Sequence, residues 1–175
     1  MKKILTASCL CKGIKFKTSG EHRNVSNCHC IQCRKTHGIY GSYSNVKDKD
    51  IKFITKKTLK WFNSSSSAKR GFCNKCGASV FFKFKKSDNT SIAAGMFNGK
   101  TGLKTMRNIF VGSKSDFYKI SDKLPKYKRF SNSRFFLCDH QQRLLVQKLY
   151  LSHLRLEMNT FFQYLLPRSI FSLNS

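Results

Sequence analysis

Seven cysteines lie in three short groups whose spacing is typical of metal ligands. The groups are Cys9-Leu10-Cys11, Cys28-His29-Cys30-Ile31-Gln32-Cys33 and Cys73-Asn74-Lys75-Cys76. Thiolates two or three positions apart can point at one ion, and the glycine that follows the last group, Gly77, suits the tight turn of zinc ribbons. One CxxC alone would be weak support for a metal site. Three such groups predict bound zinc.

Seven ligands divide into a set of four and a set of three. Zinc with four thiolates is closed and structural, whereas zinc with three protein ligands keeps a position for water or substrate. Cys28, Cys30 and Cys33 are close enough in sequence to bind one ion by themselves. The remaining ligands form the other set: Cys9, Cys11, Cys73 and Cys76. This second set would tie an N-terminal strand to a later hairpin, so its metal would contribute directly to folding.

Two other interpretations of the cysteines stay open at this point. Disulfides or inert buried thiols are one, although closely spaced pairs and a reducing compartment argue against them. Two purely structural zinc ions are the other, with His29 as the nearest eighth ligand. On an extended segment His29 faces away from Cys28 and Cys30, which favours a supporting or surface role. Cys138 receives no role.

Composition predicts a soluble, cytoplasmic protein. The apolar stretch after Met1-Lys2-Lys3 is too short for an export signal, and no run approaches the ~20 apolar residues of a membrane span. The formal net charge of +26 favours nucleic acid, anionic lipid or acidic small molecules as partners. Because the lysines are spread along the chain, a general compositional bias explains them better than a dedicated nucleic-acid site. Oligomeric state is not predicted.

The chain falls into two parts near residue 130. Residues 5–130 are rich in lysine and in short apolar–polar alternations, which predict a mainly β domain. The candidate strands are 14–18, 51–54, 59–62, 79–84, 91–97 and 108–112, with a turn at 64–67. Residues 131–175 form an atypical C-terminal extension, either helical or poorly ordered. Apolar residues recur there at helical spacing over 141–166, up to Pro167, and predict an amphipathic α-helix.

The cysteine groups and their neighbours resemble the family of glutathione-dependent formaldehyde-activating enzymes, which includes centromere protein V. The resemblance covers roughly residues 5–128 and is specific in order and spacing. Its motifs are Ser8-Cys9-Leu10-Cys11-Lys12-Gly13, the middle group continued by Arg34-Lys35, Arg70-Gly71-Phe72-Cys73-Asn74-Lys75-Cys76-Gly77, Ile92-Ala93-Ala94-Gly95, and 109–118 with Leu124-Pro125.

The resemblance implies a tent-like zinc-binding β fold, similar to methionine sulfoxide reductase B, with two zinc ions per chain. It implies structural ligands at Cys9, Cys11, Cys73 and Cys76, and catalytic ligands at Cys28, Cys30 and Cys33. It further implies a carbon–sulfur lyase that combines glutathione with formaldehyde to give S-(hydroxymethyl)glutathione. Three thiolates weaken the Lewis acidity of zinc, so delivery of a substrate thiolate is favoured over polarisation of the aldehyde. Arg34 and Lys35 are predicted to bind the carboxylates of glutathione.

One departure from the family concerns Asn108, because relatives commonly have histidine before the Ile-Phe-Val stretch. The role of that histidine is therefore open in this chain. The basic character is also unusual for the enzymes. Two alternatives to the enzyme follow: a zinc-stabilised nucleic-acid-binding module without catalysis, and an inactive family member.

Overall fold

Short alternating segments build the strands of two β-sheets in a computed structural model, which describes residues 3–130. The strands are β1 (Leu5–Ser8), β2 (Ile14–Thr18), β3 (Arg23–Cys28), β4 (Gly41–Lys47), β5 (Ile51–Lys56), β6 (Leu59–Asn63), β7 (Ala68–Cys73), β8 (Ser79–Phe84), β9 (Asn89–Ala93), β10 (Thr105–Ile109) and β11 (Lys126–Tyr127). One α-helix, α1 (Ile31–His37), follows β3, and 3-10 turns occupy Asp48–Asp50, Ala94–Met96 and Val111–Ser113.

The two sheets differ in size. The smaller has the order β1-β2-β5, and the larger has the order β11-β10-β3-β4-β9-β8-β7-β6. Strand β10 runs parallel to β3 and β11, whereas the other pairs are antiparallel. An isolated bridge between Ala7 and Phe97 adds a contact between β1 and the end of the β9 segment.

The main core draws side chains from both sheets. Ile14 and Phe16 alternate inward on β2 and are fully buried. The Phe16 ring centroid lies 5.0 Å from that of Phe81 on β8. The cysteines Cys9 and Cys73 are buried in this same cluster. The first and third cysteine groups are therefore built into the core and not attached to its surface.

The mainly β prediction is confirmed. Strands β2 and β8 have the predicted bounds, and β5 and β6 extend one or two residues beyond them. Strand β9 ends at Ala93 because a 3-10 turn follows, and β10 ends at Ile109 because Phe110 takes a positive φ of 57°. The predicted 64–67 turn separates β6 from β7.

Other features of the chain are not among these confirmed predictions. Helix α1 was not predicted, because its residues belong to the cysteine group and carry no helical apolar periodicity. The predicted helix over 141–166 lies outside the described residues, as does the whole of 131–175. The likeness to methionine sulfoxide reductase B and the domain boundary near residue 130 stay predictions. Along residues 3–130, no helix combines the length and apolar character needed to cross a bilayer.

Candidate metal centres

Four thiols from two turns meet at the edge of the main core. Cys9 and Cys11 follow β1, in a turn where the Lys12 amide donates to the Cys9 carbonyl at 3.0 Å. Cys73 ends β7, and the Gly77 amide donates to its carbonyl at 2.9 Å. Both turns contain a positive φ, 61° at Lys12 and 71° at Gly77, which in the second case suits glycine. Each turn therefore directs its two sulfurs towards the other turn.

The sulfur separations in this four-thiol cluster fit one tetrahedral ion. The Sγ atoms of Cys9, Cys11, Cys73 and Cys76 all lie within 4.8 Å of one another. Zinc with bonds of about 2.3 Å holds its sulfurs about 3.8 Å apart in a tetrahedron. The measured Cys9–Cys11 and Cys11–Cys73 distances are 3.6 Å and 3.5 Å. A disulfide needs about 2.05 Å, so this set suits zinc and is not cross-linked.

The neighbours of the four-thiol cluster also suit thiolates. The Ile14 amide lies 3.3 Å from Cys9 Sγ and donates to it. The Thr58 hydroxyl lies 3.1 Å from Cys73 Sγ, and the Thr58 carbonyl accepts from the Asn74 amide at 2.9 Å. Such contacts to ligand atoms fix their orientation. The connection between β5 and β6 is thereby attached to the cluster.

A second cluster forms where β3 passes into α1. Cys28 is the last residue of β3, Cys30 is the N-cap of the helix, and Cys33 lies in the first helical turn. The Cys33 amide donates to Cys30 Sγ at 3.5 Å. A helix start brings residues three apart onto one side, which is why the Cys30–Cys33 spacing converges. The three sulfurs lie within 4.8 Å of one another, as the set-of-three prediction requires.

This three-thiol cluster needs a cation if all three sulfurs are ionised. Hydrogen bonds from Cys28 and Cys33 lower the pKa of Cys30 far below its usual value. Hydrogen bonding to Cys30, together with burial, raises the pKa of Cys28 far above its usual value. The opposite directions of these shifts reflect the close contact of the three sulfurs, and a bound cation would favour ionisation of all three. Its donor set fits zinc, with three ligands among the described residues.

All seven cysteines of residues 3–130 are free thiols, so the disulfide interpretation is wrong for them. Burial does not separate the two clusters, since each combines buried and partly exposed cysteines. The difference between them is the number of ligands, four against three. Cys138 lies outside the described residues.

Arg70 on β7 is the functional side chain that the ligand spacing does not reveal. Its guanidinium donates to Cys33 Sγ at 3.6 Å, to the Tyr43 hydroxyl at 3.3 Å and to Gln32 Oε1 at 3.3 Å. Burial lowers the pKa of Arg70, but the thiolates of Cys33 and Cys30 outweigh burial and raise it above its usual value. A buried positive charge therefore lies against the three-thiol cluster.

His29 lies between two cysteines of that cluster without joining it. It is 1% exposed, with Nε2 3.0 Å from Asn108 Oδ1 and Nδ1 2.5 Å from the Tyr118 hydroxyl. The Asn108 amide donates to both oxygens of Asp122, at 3.0 Å and 3.1 Å, which leaves Oδ1 to accept from His29. The proton of His29 is thereby assigned to Nε2, and Tyr118 donates to Nδ1. The predicted surface position is wrong, because the His29 side chain is buried, and the supporting role stays a prediction.

Asn108 links His29 to an acidic side chain, Asp122. It is 1% exposed and joins His29 to Asp122 by accepting on one side and donating on the other. Asn108 thereby holds the imidazole of His29 in place. The role of the histidine that relatives commonly have at this position stays open.

The two predicted substrate-binding cations lie on α1, beside the three-thiol cluster. Arg34 is partly buried and donates to the Ser113 carbonyl at 2.6 Å, so part of its guanidinium is already engaged. Lys35 is exposed. Their contact with a substrate carboxylate stays a prediction.

The fold and these clusters define a mainly β protein with two cysteine sites, each able to hold a metal ion. A profile of the glutathione-dependent formaldehyde-activating enzyme family matches residues 4–113. The chain belongs to this family.

Two further comparisons accompany the family match. An uncharacterized lyase of Schizosaccharomyces pombe is 28% identical over 118 residues, which are 66% of this chain and 85% of the relative. A crystal structure of a Rhodobacter sphaeroides protein is similar with a TM-score of 0.47 and 16% identity, covering 55% of this chain and 90% of that chain.

Proposed function

We propose that the protein is a zinc-dependent carbon–sulfur lyase-type enzyme that combines glutathione with formaldehyde to give S-(hydroxymethyl)glutathione. The observation that carries the proposal is the convergence of Cys28, Cys30 and Cys33 within 4.8 Å. Three thiol ligands leave one tetrahedral position for a substrate, whereas the four-thiol cluster fills all positions. Membership of the family and the lyase name of the yeast relative support the reaction class.

The proposed reaction is an addition in which no group leaves. The sulfur of the thiol forms a bond to the carbonyl carbon of formaldehyde, and the proton of the thiol is transferred to the aldehyde oxygen. Zinc bound to the three-thiol cluster would supply a positive centre that lowers the pKa of a substrate thiol.

The side chains around the three-thiol cluster have separate tasks in this proposal. Arg70 contributes positive charge beside Cys33, which offsets the excess negative charge of three thiolates. The link from Asp122 through Asn108 to His29 holds the Cys28–Cys30 segment in place. Lys35, which is exposed, and Arg34, which is partly buried, supply positive charge on α1, where the carboxylates of glutathione would bind.

The test replaces one ligand of the three-thiol cluster. Cys30→Ser should abolish adduct formation above the uncatalysed rate, because serine is a poor zinc ligand and the site loses its third thiolate. The variant should keep its far-UV circular dichroism spectrum and one tightly bound zinc, in the four-thiol cluster. Adduct formation is followed by NMR with glutathione and formaldehyde. Full activity in Cys30→Ser, or no activity in the zinc-loaded unmodified chain, would contradict the proposal.

A further inference from the structure

Two partly exposed aromatic side chains lie on the segment that joins the two sheets, and both pack against the same buried ring. Phe53 on β5 is 42% exposed and Trp61 on β6 is 40% exposed. The centroids of their rings lie 5.9 Å and 5.8 Å from that of Phe81, which is 1% exposed. Both partly exposed rings therefore pack against one buried ring. The two rings are fixed in position and still reach solvent.

Each of these rings has a lysine beside it. Lys69 Nζ lies 4.6 Å from the centroid of the Trp61 ring, and Lys56 Nζ lies 6.0 Å from the centroid of the Phe53 ring. We call the four residues Phe53, Lys56, Trp61 and Lys69 the aromatic–lysine surface. It combines two partly exposed rings with two ammonium groups.

The charge of the aromatic–lysine surface is not neutralised by nearby carboxylates. The segment 51–63 contains no acidic residue and carries further lysines at Lys52, Lys57 and Lys60. Across the part of the chain that the structure describes, the ion pairs are Lys83–Asp48 and Lys126–Asp122, both outside this segment. A partner for this surface must therefore bring negative charge.

A partner with negative charge at regular intervals and flat faces between the charges fits this surface. Single-stranded nucleic acid has that chemistry, because its unpaired bases stack on aromatic rings while its phosphates meet lysines. In a duplex the bases stack on one another, so no base face is exposed for the aromatic rings to stack on. We propose that the aromatic–lysine surface binds single-stranded nucleic acid. A base that stacks on Trp61 displaces the Lys69 ammonium, which then pairs with the adjoining phosphate.

The aromatic–lysine surface is attached to the four-thiol cluster. Leu59 on β6 pairs with Cys73, and Thr58 contacts the Cys73 sulfur at 3.1 Å. The turn between Phe53 and Trp61 is thus fixed by the cluster that would hold a structural zinc. This inference does not depend on the proposed lyase activity, which uses other residues.

The unmodified chain carries its own probe, since Trp61 is its single tryptophan. Titration with a short oligo(dT) should quench the tryptophan fluorescence as bases stack on the indole. A polyphosphate of similar charge should bind without comparable quenching, because it has no bases. Quenching by oligo(dT) supports the proposal, and binding of oligo(dT) without quenching overturns it.

Variants then separate stacking from charge, with a fluorescein-labelled oligo(dT) and anisotropy as the measurement. Trp61→Leu should weaken binding by about tenfold, the effect of one lost base–aromatic contact. Lys69→Gln should lower the slope of log Kd against log salt concentration by about 0.7. Matched controls are Phe117→Leu, at a phenylalanine that is 69% exposed elsewhere, and Lys119→Gln. Neither control should change affinity beyond a general charge effect.

Two results with these probes would overturn the proposal. One is an equal loss of affinity for oligo(dT) in Trp61→Leu and Phe117→Leu, which would mean that binding is not specific to the aromatic–lysine surface. The other is tighter binding to phosphatidylserine vesicles than to oligo(dT), with a blue shift of the Trp61 emission, which would make the surface a membrane site. Variant chains must retain two bound zinc ions, so that a loss of folding is not taken for a loss of contact.

Discussion

Arg70, on a strand of the larger sheet, places a positive charge against the three-thiol cluster. Three thiolates with one Zn²⁺ would carry a net charge of −1, and the buried guanidinium of Arg70 would offset it at Cys33. A charge buried without a partner costs several kcal/mol, so the arginine and the thiolates stabilise one another in a site of low dielectric. The contact also orients Cys33, since Arg70 is itself held by Tyr43 and Gln32.

We expect Arg70→Met to weaken zinc binding at the three-thiol cluster by about 10- to 100-fold, the usual effect of losing a group that supports a ligand. The reason is that Cys33 loses both its hydrogen bond and the compensating charge. Competition with a chromophoric chelator measures the affinity of each site. Arg70→Lys should recover part of the lost zinc affinity, because lysine restores the positive charge but not the planar guanidinium that makes several hydrogen bonds.

The neighbouring Lys69 provides the control for this prediction. Its side chain lies against Trp61, so Lys69→Met removes a positive charge from the same strand without touching the thiols. Zinc affinity at both clusters should then stay unchanged. If Arg70→Met lowered the affinity of the four-thiol cluster as well, the effect would be a general loss of folding and the specific role of Arg70 would be wrong.

The ligand residues could be predicted from the sequence, whereas the residues that support them could not. Cysteines at short spacing carry their own signal, and the division into four and three follows from their positions. Arg70 is 37 positions from Cys33, and Asn108 is 79 positions from His29. Such contacts depend on strand pairing across the sheet, which no local pattern specifies. Asn108 was noticed only as a departure from the family.

With a metal bound, the four-thiol cluster would act as a clip between two turns that are far apart in sequence. Cys11 and Cys73 are separated by 62 positions, and their sulfurs lie 3.5 Å apart. A cross-link that closes a loop of this length lowers the entropy of the unfolded chain and stabilises the fold by about 4 kcal/mol. Cys9 and Cys73 are also buried core residues, so a metal bound there would be held by the core and would stabilise it.

We expect Cys76→Ser to lose one zinc and to lower the free energy of unfolding by about 4 kcal/mol, because the clip opens. Urea denaturation with metal analysis measures both. The matched control is Cys30→Ser, which also loses one zinc but leaves the clip closed and should lower the free energy of unfolding much less. Equal destabilisation by the two substitutions would contradict the division into a structural and an open site.

Strands rich in apolar residues that alternate with polar ones could be predicted with their bounds. Strands whose buried face contains polar residues could not. Strand β2 reads apolar–polar–apolar because one face is in the core, and β8 is rich in aromatic residues. Strands β3 and β4 were missed because they bury polar residues, such as Asn27 and Ser44, in hydrogen bonds across the sheet. Helix α1 was missed because its cap is a cysteine, Cys30, which accepts from the Cys33 amide and does not resemble the usual serine or aspartate.

The net charge of +26 creates a positive field around the whole chain. Glutathione is an anion, so this field would raise its local concentration and its rate of encounter with the protein. The field is long-range and depends on ionic strength, because the Debye length falls from about 30 Å at 0.01 M to about 3 Å at 1 M salt. A local contact with Lys35, in contrast, would survive moderate salt.

We expect kcat/KM for glutathione to fall severalfold as salt rises over this range, because screening removes the long-range attraction. A neutral thiol such as 2-mercaptoethanol is the control and should show little change, since it feels no attraction. Comparison of Lys35→Gln with Lys119→Gln separates the two sources of attraction. If only the general field acts, both variants lose the same small fraction of kcat/KM. If Lys35 contacts a carboxylate of glutathione, the fall in kcat/KM is larger for Lys35→Gln and persists at high salt. A fall of equal size for the neutral thiol would mean that salt acts on the protein itself, and the electrostatic argument would then be wrong.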